Sequence, residues 1–171
     1  WVDANKGDEH NPRYRSRLVA RQPKATDKSG KCYFSLTPPL EGSRVGRRRP
    51  CCDPRSEKRM QISCLDISRA YFNAAIDGCV KTYAQFPPEE PDAGVRCAEL
   101  LRHMYGTRAA AYGWQEEYSS TLVSELESVQ GVASPCLFRH SSRAIVVSVH
   151  GDDFTAAGPK VDLDWYEGGM K

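Results

Sequence analysis

Ala144-Ile145-Val146-Val147-Ser148-Val149-His150-Gly151-Asp152-Asp153-Phe154-Thr155-Ala156-Ala157 is the stretch whose reading decides the fold. Ala144 to Val149 is rich in β-branched side chains and reads as a strand. Phe154 to Ala157 pairs back on it, which predicts a hairpin with Asp152 and Asp153 at its tip. Acids at such a tip are ordinarily turn residues in water. Asp66 changes that expectation. It stands at the carboxyl end of Gln61-Ile62-Ser63-Cys64-Leu65-Asp66-Ile67, a short apolar run that reads as a buried strand. If the two strands lie side by side, three carboxylates meet, and like charges so placed repel unless cations intervene. Mg²⁺ suits that arrangement because it prefers oxygen ligands, keeps several waters and binds substrate phosphates. Two such ions can activate an attacking 3′-hydroxyl and stabilise a departing pyrophosphate, and phosphoryl transfer asks the protein mainly for positioning and charge.

Upstream of the acids, Ser68 is placed to cap a short helix over Arg69 to Ala75, and residues 79–86 look extended up to Pro87-Pro88. The strongest helical pattern covers 107–128. Ala110, Trp114, Tyr118 and Leu122 recur every fourth residue, with Glu116, Glu117 and Glu125 off that stripe. Trp114 and Tyr118 are therefore expected in the core. Leu137-Phe138 reads as a further strand.

At the other end, residues 1–22 read as a strand pair joined by the polar turn Lys6-Gly7-Asp8-Glu9. Side chains alternate across a strand, so Arg15, Arg17, Val19 and Arg21 are expected on one face, opposite Ser16, Leu18 and Ala20. Residues 23–60 carry Pro38-Pro39, Pro50, Pro54 and the basic run Arg47-Arg48-Arg49, and read as loop. The chain has no internal repeats.

Composition bounds the answer further. The 171 residues, 40% hydrophobic and 27% charged, suit one globular domain or two small lobes. No apolar run approaches the ~18 residues of a membrane span, so no membrane partner is expected. Trp1-Val2-Asp3 offers neither initiator Met nor signal peptide, and the chain reads as a piece of something longer. Seven scattered cysteines, an odd number, argue against a disulfide framework and predict free thiols in a reducing compartment. Only Cys51-Cys52 come close together, and adjacent thiolates are poor partners for one tetrahedral metal. Net charge is +2 but uneven: residues 1–60 hold 15 Lys/Arg against 7 Asp/Glu, and residues 61–171 hold 9 against 15. That division suggests a basic half facing a polyanion and an acidic half holding cations; a solvated basic tail is the alternative.

Six segments, in order, resemble the reverse transcriptase of Ty1/copia-type retrotransposons. Arg15 to Arg21 resembles that family's basic strand KARLVARG, and Tyr33-Phe34-Ser35 to Pro38-Pro39-Leu40 its following Phe/Pro stretch. Leu65-Asp66-Ile67-Ser68-Arg69-Ala70-Tyr71-Phe72-Asn73 resembles LDVKTAFLNG, and Val80 to Pro88 resembles EEVYMEQPPG. Leu101 to Trp114 resembles LKKSLYGLKQAPRAW, and Val149-His150-Gly151-Asp152-Asp153-Phe154 the stretch YVDDI. The resemblance implies an α+β, right-hand polymerase fold, with a central antiparallel sheet flanked by helices and truncated. Residues 1–60 would be a fingers-like basic segment with a poorly ordered loop over 41–60, and 61–171 the palm, in one reverse transcriptase domain.

It further implies RNA-directed DNA polymerase activity with two Mg²⁺ (or Mn²⁺) ions. Asp66, Asp152 and Asp153 would be the metal-binding triad, with the backbone carbonyl of Ile67 completing a metal's shell. Tyr71 matches the aromatic position beneath the incoming sugar that selects deoxynucleotides. Arg15, Arg17 and Arg21 would face triphosphate or template, and Arg108 the nucleotide or primer. The implied partners are dNTPs, a primed RNA or DNA template, and the rest of a Pol polyprotein. The implied setting is intracellular, in a cytoplasmic virus-like particle or the nucleus. The thumb, connection, ribonuclease H, integrase and protease regions are not in this chain.

Three departures stand out. His150-Gly151 replaces the usual aromatic before the acids, and the glycine is expected to loosen the turn. Arg108-Ala109-Ala110-Ala111 lacks the family's amide. Glu41 to Arg47 stands where a longer apolar helix is usual. These features also fit a decayed, catalytically inactive remnant that only binds nucleic acid, and a third reading makes the acid pair a plain turn in an interaction domain.

Overall fold

The computed structural model describes residues 2–24, 33–39, 60–76 and 81–170. The expected loop over 41–60 therefore lies outside the described residues, except Met60. The fold is mixed α+β, with a five-stranded antiparallel sheet, two strand pairs and, among the described residues, three helices. The chain divides into two compact units: one of Trp1–Tyr33 with Tyr71–Gly113, the other of Phe34–Ala70 with Trp114–Lys171. Each is built from two separated stretches of chain.

In the first unit, β1 (Val2–Asn5) and β2 (Tyr14–Arg17) are antiparallel, Val2 opposite Arg17 and Asn5 opposite Tyr14. The connection is organised by one side chain. The Asn5 amide oxygen accepts from the Gly7 and Arg13 backbone N–H groups at 2.9 and 2.8 Å, as short polar side chains do in turns. All eight strand residues are exposed. The alternation expected along 15–21 stops at Arg17, so Val19 and Arg21 do not share its strand face. The chain instead turns toward the segment around residue 105, where Ala20 N–H donates to the Tyr105 carbonyl at 2.8 Å.

A second pair, β4 (Thr82–Gln85) and β5 (Cys97–Leu100), forms antiparallel with Thr82 opposite Leu100. α1 (Ala70–Asn73) is a single turn, shorter than the helix expected to Ala75. His103 is buried beside Gly113, and desolvation lowers its pKa below the ordinary value. A folded-state pKa below the unfolded one means that stability is intact above the ordinary imidazole pKa and falls as pH drops through the folded one. Lowering pH from about 7.5 to 5.5 is therefore expected to reduce the melting temperature, and His103→Gln to flatten that dependence in a pH series of thermal melts.

In the second unit the sheet order is β3-β9-β8-β7-β6, all antiparallel. These are β3 (Met60–Asp66), β6 (Ser128–Gln130), β7 (Leu137–His140), β8 (Val146–His150) and β9 (Asp153–Pro159). α2 (Ala110–Ser124) carries the expected stripe: Ala110, Trp114, Tyr118 and Leu122 are all buried, and Leu126 beyond the helix continues the line. Tyr118 and Trp114 pack edge-on against Phe154, and Tyr118 also against Phe138. Phe138, Val147 and Ala156 sit opposite one another on successive strands and finish this face. Such aromatic pairs add about 0.5–1.5 kcal/mol each beyond the area they bury.

α3 (Lys160–Gly169) adds Leu163 and Tyr166, and Ser63 on β3 donates to the Glu167 carboxylate. Burial holds the Tyr118 and Tyr166 protons well above the ordinary phenol pKa and raises that of the Cys136 thiol, which favours the neutral form of all three. β3 corrects one expectation. It is an edge strand and not a buried one: Ser63 and Leu65 are half-buried, but Ile62 is 45% exposed and Cys64 and Asp66 are open. Among the described residues no helix is long and apolar enough to cross a membrane.

Candidate metal centre

The three acids meet because β9 lies between β3 and β8. Asp66 ends β3 directly opposite Asp153, the first residue of β9, and Asp153 in turn faces His150, the last residue of β8. Directly opposed residues project from the same face, so Asp66 and Asp153 share it. Asp152 belongs to the turn. One carboxylate oxygen from each of the three lies within 4.8 Å of the others, and all three residues are exposed.

Among the described residues no cation pairs with any of them. Like charges opposed across a ladder destabilise it, and a cation placed among the three would relieve that repulsion. An all-oxygen, all-anionic donor set fits a hard divalent ion such as Mg²⁺ or Mn²⁺. The free thiol of Cys64 is two residues along β3 from Asp66 and is not in this group.

The turn itself is a two-residue connection, since His150 pairs with Asp153. Of Gly151 and Asp152, only Gly151 has a positive φ, +65°. A tight hairpin with a positive first position calls for glycine there. The expected loosening is thus reversed: Gly151 supplies the backbone angle that this turn needs. A Cβ added at Gly151 meets nothing within 4 Å, so Gly151→Ala tests conformation alone. It is expected to destabilise by about 1–2 kcal/mol, a fall of roughly 2–8 °C in melting temperature.

Ile67 is half-buried, and its N–H donates to the Asp152 carbonyl at 3.0 Å. The other residues singled out from the sequence belong to the first unit. Tyr71 lies 4.5 Å from the Tyr105 ring, centroid to centroid, and the Arg17 guanidinium lies 5.8 Å from the same ring centre. Arg108 lies 5.6 Å from the Tyr33 ring centre, and its backbone N–H donates to Gln22 at 2.9 Å. These distances are within the range of cation–π attraction. Arg15 is exposed on β2, and Arg21 is exposed beyond it.

Tyr105 gathers Tyr71, Phe72 and Arg17, a role that the sequence signalled only through an aromatic before a glycine. Trp114 was expected in the core and is there. Its indole N–H also reaches the acid-bearing turn, donating to the Gly151 carbonyl at 2.9 Å. No family model, no curated protein and no solved structure matches this chain.

Proposed function

We propose that the chain is the catalytic core of a reverse transcriptase of the copia type, an RNA-directed DNA polymerase with a truncated palm and fingers. The observation that carries the reading is the convergence of Asp66 with Asp152 and Asp153, three carboxylates distant in the chain and within 4.8 Å in space. A five-stranded antiparallel sheet with helices packed on it supports the palm assignment.

Two divalent ions held there would supply charge to activate a primer 3′-hydroxyl and to stabilise departing pyrophosphate. Asp66 and Asp153 hold their carboxylates side by side from adjacent strands, and Asp152 adds a third from the turn. Ile67, next to Asp66, offers its backbone carbonyl. In the first unit, Arg15, Arg17, Arg21 and Arg108 supply cations for triphosphate and template phosphates. Tyr71 supplies a flat ring to lie beneath a deoxyribose and exclude a 2′-hydroxyl. The substrates are dNTPs and a primed RNA or DNA template. The setting is intracellular, with integrase and ribonuclease H on other parts of the polyprotein.

The test is primer extension on an RNA template with Mg²⁺ or Mn²⁺ supplied and withheld. Metal-dependent incorporation of deoxynucleotides, in preference to ribonucleotides, is the expected result. No incorporation with either metal, together with no heat of Mg²⁺ binding, removes the reading. A second reading draws on the Arg17–Tyr105 and Arg108–Tyr33 pairs, since interleaved arginines and aromatics suit a single strand without catalysis. It predicts steeply salt-dependent binding that ignores metal and Asp substitutions.

A further inference from the structure

Asp152 is the one acid of the three outside the strand ladder. A residue in a two-residue turn has no cross-strand partner to fix its peptide planes, so its side chain is free to swing unless something else holds the backbone. Here both turn carbonyls are held. The Gly151 carbonyl accepts from the Trp114 indole at 2.9 Å, and the Asp152 carbonyl accepts from the Ile67 N–H at 3.0 Å. One donor comes from α2 and the other from the end of β3, beside Asp66. The peptide planes on either side of Asp152 are thereby fixed by two separate elements of the same unit.

Core packing alone does not account for Trp114. It is 6% exposed and packed edge-on against Tyr118 and Phe154. A phenyl ring in that place would keep most of the apolar contact. What phenylalanine lacks is the N–H, and a buried indole N–H needs an acceptor. Its acceptor is the backbone of the turn that presents two of the three carboxylates.

We propose that Trp114 is a positioning residue for a divalent-cation site, acting through the Gly151 carbonyl to hold Asp152 in line with Asp66 and Asp153. The proposal rests on reading the three acids as a metal centre. Partners one shell out from a metal typically alter its affinity 10–100-fold when removed, because ligands held in place in advance need no ordering when the ion arrives.

The experiment compares Mg²⁺ binding by calorimetry in the wild-type chain, Trp114→Phe and Leu122→Val. Leu122 lies on the same helix and is fully buried, so Leu122→Val loosens the same core without touching the turn. Trp114→Phe is expected to weaken Mg²⁺ binding about tenfold and to raise the Mg²⁺ concentration for half-maximal incorporation by the same factor. Leu122→Val should lower the melting temperature and leave both values unchanged.

The wild-type chain provides a readout that needs no variant. With only three tryptophans in the sequence, the Trp114 indole resonance can be assigned, and its proton should exchange slowly with solvent and shift on Mg²⁺ addition. Equal Mg²⁺ affinity in wild type and Trp114→Phe overturns the proposal. So does equal weakening by Leu122→Val, or an indole proton exchanging as fast as one in water. If the wild type itself binds no Mg²⁺, the metal-centre reading fails and this proposal with it, which is a different outcome from normal wild-type binding unaffected by Trp114→Phe.

Discussion

Asp152→Asn is expected to reduce metal-dependent incorporation by at least about 10²–10³-fold while leaving the chain folded. The size follows from what the side chain does in the proposed reaction. A preorganised group facing developing charge typically contributes that much when it only donates a hydrogen bond, and a direct ligand to the ion carrying the charge contributes no less. The fold should tolerate the change because Asp152 is exposed and its backbone, not its carboxylate, makes the Ile67 hydrogen bond.

Asp66→Asn adds a thermodynamic counterpart. Asp66 and Asp153 are directly opposed across the ladder, so removing one charge relieves a repulsion, and the metal-free melting temperature should hold or rise. Added Mg²⁺ should stabilise the wild type, by about 1.4 kcal/mol at ten times its dissociation constant, and should do little for either variant. Thermal melts with and without Mg²⁺, run beside the extension assay, read both effects. Undiminished incorporation by Asp152→Asn would remove the triad from the mechanism. Tight, salt-sensitive RNA binding by the inactive variants would leave the binding-only reading standing.

The parts of this fold legible in the sequence are those whose signal is local and whose environment is uniform. α2 is legible because four residues at helical spacing are all buried. The β8–β9 hairpin is legible because a β-branched run is followed, across a short polar tip, by a second apolar segment. Strands β5 and β6 carry no such signal. Cys97-Ala98-Glu99-Leu100 and Ser128-Val129-Gln130 are short and lack β-branched alternation, and tertiary pairing outweighs propensity in such segments.

The apolar run of β3 marks a strand but not its burial. An apolar run does not say whether both faces are covered, and this one lies at a sheet edge. The acids could be listed from the sequence, but their register could not. That Asp66 faces Asp153, and that Trp114 and Ile67 hold the turn between, depends on long-range pairing that no local pattern encodes. The glycine before the acids shows the same limit from the other side: its effect on the turn depends on which of the two residues takes the positive φ.

Gly106→Ala is expected to destabilise the first unit by about 3 kcal/mol or more, two costs acting together. Gly106 has φ +88°, a region in which a Cβ costs roughly 1–2 kcal/mol. The added Cβ would also lie far inside contact distance of the Ala20 carbonyl oxygen and carbon. Those atoms are backbone, so no rotamer change relieves the overlap, and forced overpacking typically costs about 1–3 kcal/mol. The close approach is what lets Ala20 N–H reach the Tyr105 carbonyl at 2.8 Å, and it runs alongside the Gln22 contact to the Arg108 N–H. Separating the two segments therefore also exposes or strands those hydrogen bonds.

For a chain of this size the expected fall in melting temperature is roughly 6–12 °C. Limited proteolysis should find new cleavage within 2–24 or near residue 105 before it reaches the sheet of the second unit. The same substitution at Gly94, where φ is also positive but a Cβ meets nothing within 4 Å, provides the control. It carries the conformational cost without the overlap, so it should lower the melting temperature by no more than about half as much. Equal effects at the two glycines, or a Gly106→Ala chain melting within a degree or two of wild type, would mean that Ala20 and Gly106 are not packed together in solution.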